Sequence, residues 1–211
     1  MADAVENYEV NIKVPAWLKP LPFNGYTIKN FESWDDDIKV ELLNGIPYMM
    51  APPSIKHQEI FNQLFGQLLG FLKGKPCRVF SGVGVRLFPE KDKKDKNGLI
   101  PDLVVVCDEK KLNMDPMWIM GPPEFIIEIL SPNDRGRDLV DKKELYEKAG
   151  VKEYWVIDQV KHHRLYRYVL IAGVNGEGIY AETVFDLARE TKIPVSVLPG
   201  CVLEITSERS Y

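Results

Sequence analysis

Apolar residues recur along this chain with two different periods, and the switches between them mark out its elements. From Ser54, a residue suited to cap a helix, His57, Ile60, Phe61, Leu64, Phe65, Leu68, Leu69 and Leu72 return at helical spacing until Gly74 and Pro76 close the run. Val40 to Met50 instead predicts a hairpin, with Asn44-Gly45 as its turn pair and Glu41 at its entrance. Arg78 to Phe88 alternates through Val79, Ser81, Val83, Val85 and Leu87, a strand whose glycines predict a bend or a close approach. Leu99 to Cys107 and Glu124 to Leu130 are apolar and rich in β-branched residues, as expected of central strands covered on both faces. Asp138 to Ala149 predicts a helix stopped by Gly150, and Glu153 to Ile157 and Arg164 to Ile171 predict strands around the polar turn Asp158 to His163. Tyr180 to Phe185 and Val195 to Ile205 are expected to add edge strands.

Strands and helices therefore alternate in an α/β (α+β) order. No repeat or linker interrupts it, and 211 residues with 45% hydrophobic content can bury one sizeable core. The expectation is a single domain over residues 1–211, with its core at about 24–205. No apolar run is long enough to span a bilayer, and Met1 to Val14 lacks a basic-then-apolar pattern, so the expected location is cytoplasmic, with no membrane partner. Cys77, Cys107 and Cys201 are odd in number and far apart, which reads as reduced, packed thiols rather than a disulfide framework or zinc site.

A net charge of −4 argues against a protein that coats nucleic acid through a global positive field. Local patches are still open. Lys91, Lys93, Lys94 and Lys96 form one, diluted by Asp92 and Asp95. Lys161, His162, His163, Arg164 and Arg167 form another, in which Lys161, Arg164 and Arg167 are candidate phosphate ligands. The alternative for each is a solvated loop.

Two carboxylates stand in unusual company. Asp102 follows Pro101 into Leu103-Val104-Val105-Val106, and Glu128 lies inside Phe125-Ile126-Ile127-Glu128-Ile129-Leu130. An ionised carboxylate removed from water costs several kcal/mol unless a counter-charge or metal compensates it. Asp102 as a strand-start residue and Glu128 in a buried ion pair are the structural alternatives. If the two runs pair, however, the acids come side by side as oxygen ligands of the kind that suit Mg²⁺ or Mn²⁺. In the following helix Leu139, Leu145, Tyr146 and Ala149 define an apolar stripe, and Lys142 falls in its middle. Lys142 either pairs with Asp138 one turn away or reaches the strand carboxylates.

With these residues assembled, the chain resembles a prokaryotic family of restriction-endonuclease-like proteins, catalogued as a domain of unknown function, within the PD-(D/E)XK superfamily. The resemblance runs through Glu41-Leu42-Leu43-Asn44-Gly45, Ser54, His57, Pro101-Asp102-Leu103-Val104-Val105 and Glu128-Ile129-Leu130-Ser131-Pro132. It continues through Asp138, Lys142 and Tyr146 into Gly150-Val151-Lys152-Glu153-Tyr154-Trp155-Val156-Ile157-Asp158, with Pro199-Gly200 near the end. It implies a type II restriction endonuclease-like mixed central sheet flanked by helices and a Mg²⁺-dependent (or Mn²⁺-dependent) endonuclease acting on DNA. Asp102 and Glu128 would be the metal ligands and Asp102, Glu128 and Lys142 the catalytic set. The superfamily's usual lysine position, two after the glutamate, holds Leu130 here; similar families move the lysine to the next helix, where Lys142 stands. Glu41 and His57 match further positions and are supporting candidates, against a solvated hairpin residue and a satisfied core histidine. The resemblance also points to a homodimer as a candidate partner state, since cutting both strands takes two sites. The alternative function is a nuclease-fold module that binds nucleic acid or a protein partner without turnover.

Overall fold

The computed structural model describes residues 25–34, 40–131, 136–158, 162–174 and 176–206. Its centre is a six-stranded mixed sheet in the order β10-β9-β8-β7-β5-β3. These strands are β3 (Arg78–Phe80), β5 (Leu103–Val106), β7 (Phe125–Ile129), β8 (Glu153–Asp158), β9 (Arg164–Ala172) and β10 (Gly178–Asp186). Within this sheet only β7 and β8 run parallel, joined by a crossover that carries a helix, as a parallel pair requires. The two β-branched runs do pair, β5 lying antiparallel to β7 with Leu103 opposite Ile127. Every residue of β5, β7 and β8 is buried, so neither sheet face meets solvent at the centre.

Alternation along each strand splits the core in two. Leu103, Val105, Phe125, Ile127 and Ile129 pack on one face with helix α2 (Ile55–Leu72), which presents Ile60, Leu64, Leu68 and Leu72 at four-residue steps. Leu64 and Leu68 are fully buried, each contributing roughly 2 kcal/mol by leaving water. Leu69, expected on the same stripe, is instead half exposed. Ser54 caps this helix by accepting the His57 N–H at 3.2 Å.

The opposite face, with Val104, Ile126 and Val156, packs against Leu145 and Tyr146 of α4 (Lys143–Ala149). It is also covered by a smaller layer built from the hairpin β1 (Val40–Leu43) and β2 (Ile46–Met49) and the parallel pair β4 (Gly84–Arg86) and β6 (Trp118–Met120). Bridges from Leu42 to Gly98 and from Leu99 to Val85 stitch these pieces together. Asn44 and Gly45 both have positive φ (51° and 79°), the backbone that a two-residue hairpin turn demands. The predicted bend and close approach in Arg78 to Phe88 both occur: Gly82 turns the chain at φ 65°, and Gly84 lies under the Trp118 ring with no room for a Cβ. Here one predicted strand becomes two, in different layers. Short helices α1 (Ile28–Phe31) and α3 (Lys110–Asn113) complete the set.

Two expectations are corrected. Val195 to Ile205 adds no edge to the main sheet. Instead β11 (Lys192–Pro194) and β12 (Val202–Glu204) pair with each other beneath α2, where the Gln67 amide bonds both the N–H and the C=O of Glu204. Tyr180 to Phe185, within β10, is the edge strand expected. The cysteines are not all reduced: Cys77 and Cys107 form a disulfide with Cα atoms 3.9 Å apart, and only Cys201 is free and buried. The cause is register. Arg78 pairs with Val106, so the next residues outward on the two strands come level despite a separation of 30 in sequence. Among the described residues no helix is long and apolar enough to cross a membrane.

Closing a loop of that length restricts the unfolded chain, an effect on the order of 3 kcal/mol. Replacing both Cys77 and Cys107 by Ser is expected to lower unfolding stability by about that amount in urea titrations. Reducing the unaltered protein should reproduce the loss.

Candidate active site

A cleft of about 660 Å³ opens where β5 begins and β7 ends, and Glu41, His57, Asp102, Glu128, Asp138 and Lys142 all line it. Sheet register explains the central pair. Leu103 opposes Ile127, so Asp102 comes level with Glu128 one step beyond. Glu128 shares the α4 side of the sheet with Ile126 and is buried, whereas Asp102 has left the strand. Asp102 caps the ladder instead, its Oδ2 accepting the Ile129 N–H at 2.7 Å. The same oxygen lies 3.2 Å from His57 Nε2, so the predicted core histidine is turned from the α2 stripe toward an acid.

Lys142 occupies the middle of the cluster and is almost wholly buried. Its Nζ lies 2.9 Å from Glu128 Oε1, 3.0 Å from Glu41 Oε2 and 3.3 Å from Asp138 Oδ1. Both sequence readings of this lysine are therefore present together: the pair with Asp138 exists, but its head is not solvated and it reaches the strand. The helix differs from expectation here, since Arg137–Lys142 is a π-helical segment that runs into α4. A π turn displaces side chains relative to an α-helix and recurs at functional sites. Glu41 is the third carboxylate, buried on β1, and faces Arg137 at 3.6 Å as well. Tyr48, opposite Glu41 in the hairpin, supports that arginine with its ring at 4.1 Å.

Charge balance shapes the ionisation of this cluster. Burial raises the Glu128 carboxyl well above the ordinary range. Lys142 draws it down, while Asp138, Asp102 and Glu41 push it up. Burial alone would lower Lys142, yet Glu128, Glu41 and Asp138 outweigh it and hold the ammonium well above the usual lysine range. For His57, too, burial opposes protonation, but the bond and charge of Asp102 leave its pKa raised. Tyr146 gives its hydroxyl to Glu128 Oε1 at 3.2 Å, and burial, reinforced by that carboxylate, pushes its pKa far up.

How each acid uses its two oxygens separates the cleft from the rest of the protein. Glu153, fully buried, accepts Trp155 Nε1 on one oxygen and the Val197 N–H on the other. Asp95 uses both oxygens on Arg86, and Glu124 takes the Cys107 N–H and Lys111. Asp102 and Glu128 each spend one oxygen: among the described residues Asp102 Oδ1 and Glu128 Oε2 accept no hydrogen bond. These two vacant carboxylate oxygens in one cleft suit a hard cation such as Mg²⁺, which takes one or two carboxylates and fills its remaining positions with water and phosphate oxygens. No cluster of three or more His, Cys, Asp or Glu donors arranged for a metal occurs among the described residues, and Glu41 and Asp138 are turned toward Lys142.

None of the described residues of the two basic patches lines this cleft. Arg164 is exposed on β9, and Arg167 rests over the Phe185 ring at 4.9 Å and donates to the Pro194 carbonyl. Neither lines the cleft, and Lys161 lies outside the described residues. In the lysine-rich loop Asp95 is withdrawn into a buried pair with Arg86, and Lys93 is engaged by Glu32 at 2.6 Å. Lys91, Lys94 and Lys96 are left exposed with Asp92. Arg137, Tyr48 and the hydroxyl role of Tyr146 escape a sequence reading. Only Tyr146, four residues after Lys142, carried a signal of its place.

The sequence pattern of the Uma2 family, described as "Putative restriction endonuclease", matches residues 28–206. The fold is similar to the crystal structure of "a putative nuclease belonging to DUF820 from Anabaena variabilis ATCC 29413", with a TM-score of 0.65 and 20% sequence identity. That similarity covers 84% of this chain and 94% of the other, and at such identity it concerns the fold. No curated protein matches the chain.

Replacing Lys142 by Met leaves three buried carboxylates facing one another. The expected cost is about 3–5 kcal/mol, the usual result of stranding a buried charge. Adding Glu128→Gln should recover part of that loss, so that chemical denaturation of the two single variants and the double variant shows strong non-additivity.

Proposed function

The chain belongs to the Uma2 family, described as "Putative restriction endonuclease", and from that premise we propose that its cleft hydrolyses DNA phosphodiester bonds with the help of Mg²⁺ or Mn²⁺. The observation that carries this reading is the unused oxygen on each of Asp102 and Glu128, beside the Lys142 ammonium that meets Glu128 at 2.9 Å. Asp102 and Glu128 would hold the cation, with the Ile129 carbonyl as a further oxygen donor at the same cleft wall. Such an ion polarises a phosphate and lowers the pKa of a water beside it.

The protein's own groups supply the rest. Lys142 fixes Glu128 through its Oε1 and brings a positive charge to where the reacting phosphate gains negative charge, and it can orient the attacking water. Glu41 and Asp138 keep that ammonium protonated and in place. Arg137, about a quarter exposed and steadied by Tyr48, is a cation that a neighbouring phosphate can meet at the cleft wall. Cutting both strands of a duplex takes two such sites, which a second copy of the chain would provide.

Purified protein is expected to cleave DNA when Mg²⁺ or Mn²⁺ is present and to stop when the metal is chelated. Asp102→Ala should lower the cleavage rate by about a hundredfold or more. Equal cleavage by the two proteins would assign the activity to a contaminant. DNA retained without metal and without cleavage would favour the binding-module alternative.

A further inference from the structure

Asp102 belongs to no strand, and what fixes its carboxylate is therefore a question of side-chain contacts. Among the described residues two donors reach it, the Ile129 N–H at 2.7 Å and His57 Nε2 at 3.2 Å, and both go to Oδ2. The first is backbone and always present. Among the described residues His57 is the side chain that holds the carboxylate as it is turned.

The cost of placing a histidine there is visible. The His57 side chain is only 10% exposed, and its Nδ1 is buried with no hydrogen-bond partner among the described residues. An apolar residue would continue the α2 stripe of Ile60, Leu64 and Leu68 without stranding a ring nitrogen. Packing thus gives no reason for an imidazole at this position, whereas the bond to Asp102 does.

We infer that His57 is a positioning residue: by occupying Asp102 Oδ2 together with the Ile129 N–H, it leaves Oδ1 as the single oxygen that Asp102 offers to a divalent cation. This rests on the cation reading of the cleft. Partners one step removed from a metal set the orientation of its ligands, and losing one typically weakens metal affinity by about 10–100-fold.

The test is Mn²⁺ binding to the full chain without DNA, followed by calorimetry or by the electron-spin signal of free Mn²⁺. His57→Phe keeps the ring volume and removes the donor, and should weaken binding by about tenfold or more. His57→Gln retains a terminal N–H and should restore most of it. In cleavage assays His57→Phe should raise the Mn²⁺ concentration needed for half-maximal rate while the rate at saturating Mn²⁺ stays close to that of the unaltered chain. A purely packing role predicts the reverse order of the two variants. Unchanged Mn²⁺ affinity in a folded His57→Phe protein, checked by its thermal transition, would overturn the inference and leave the proposed function standing. No Mn²⁺ binding by the unaltered chain would overturn both.

Discussion

One ammonium group ties this fold together at its cleft. Lys142 brings its charge among Glu41 from the hairpin, Glu128 from the central sheet and Asp138 from its own helical segment. Each of those acids is buried, and removing any ion from water costs several kcal/mol before its partners compensate. The hairpin layer, the sheet and the crossover helix are therefore held in one arrangement by a condition of charge balance as well as by apolar packing. A buried salt bridge is weak grounds for stability in general. Here its consequence is geometric: it aims Glu128.

Burial alone does not single out a functional acid in this protein. Glu153 is more buried than Glu128, and Asp95 is as buried, yet both have every oxygen satisfied within the fold. Among the described residues Asp102 and Glu128 each leave one oxygen unbonded, and Glu41 meets Lys142 and Arg137 as ion pairs with its Oε2 accepting no hydrogen bond. Satisfied acids lock structure, since a half-used carboxylate in a poorly solvated site carries a penalty that further packing would have removed.

Much of this was legible in the sequence because it depends on local pattern. The α2 stripe, the Asn44-Gly45 turn and the paired central strands all follow from periodicity and turn chemistry, and the pairing alone brings Asp102 level with Glu128. Lys142 was conspicuous because a lysine on an apolar stripe demands a partner. What stayed hidden depends on register between distant segments or on departures from ideal helix geometry. The Cys77 to Cys107 bond needs the offset of β3 against β5, and the docking of Arg137 on Glu41 and Tyr48 needs a π segment that no spacing announces. Arg167 looked like a surface cation, yet it lies on a strand whose inward face packs it over Phe185.

The disulfide has a topological effect that reaches the lysine-rich loop. Cys77 and Cys107 bracket β3, β4, the exposed residues Lys91, Lys94 and Lys96, and Asp102, making all of them part of one covalent ring. A protease that nicks the backbone at those exposed lysines opens the ring but does not separate the pieces. The halves stay joined through sulfur as well as through the sheet, so Asp102 remains tethered beside β7 after the cut, and only a reductant lets the fragments part.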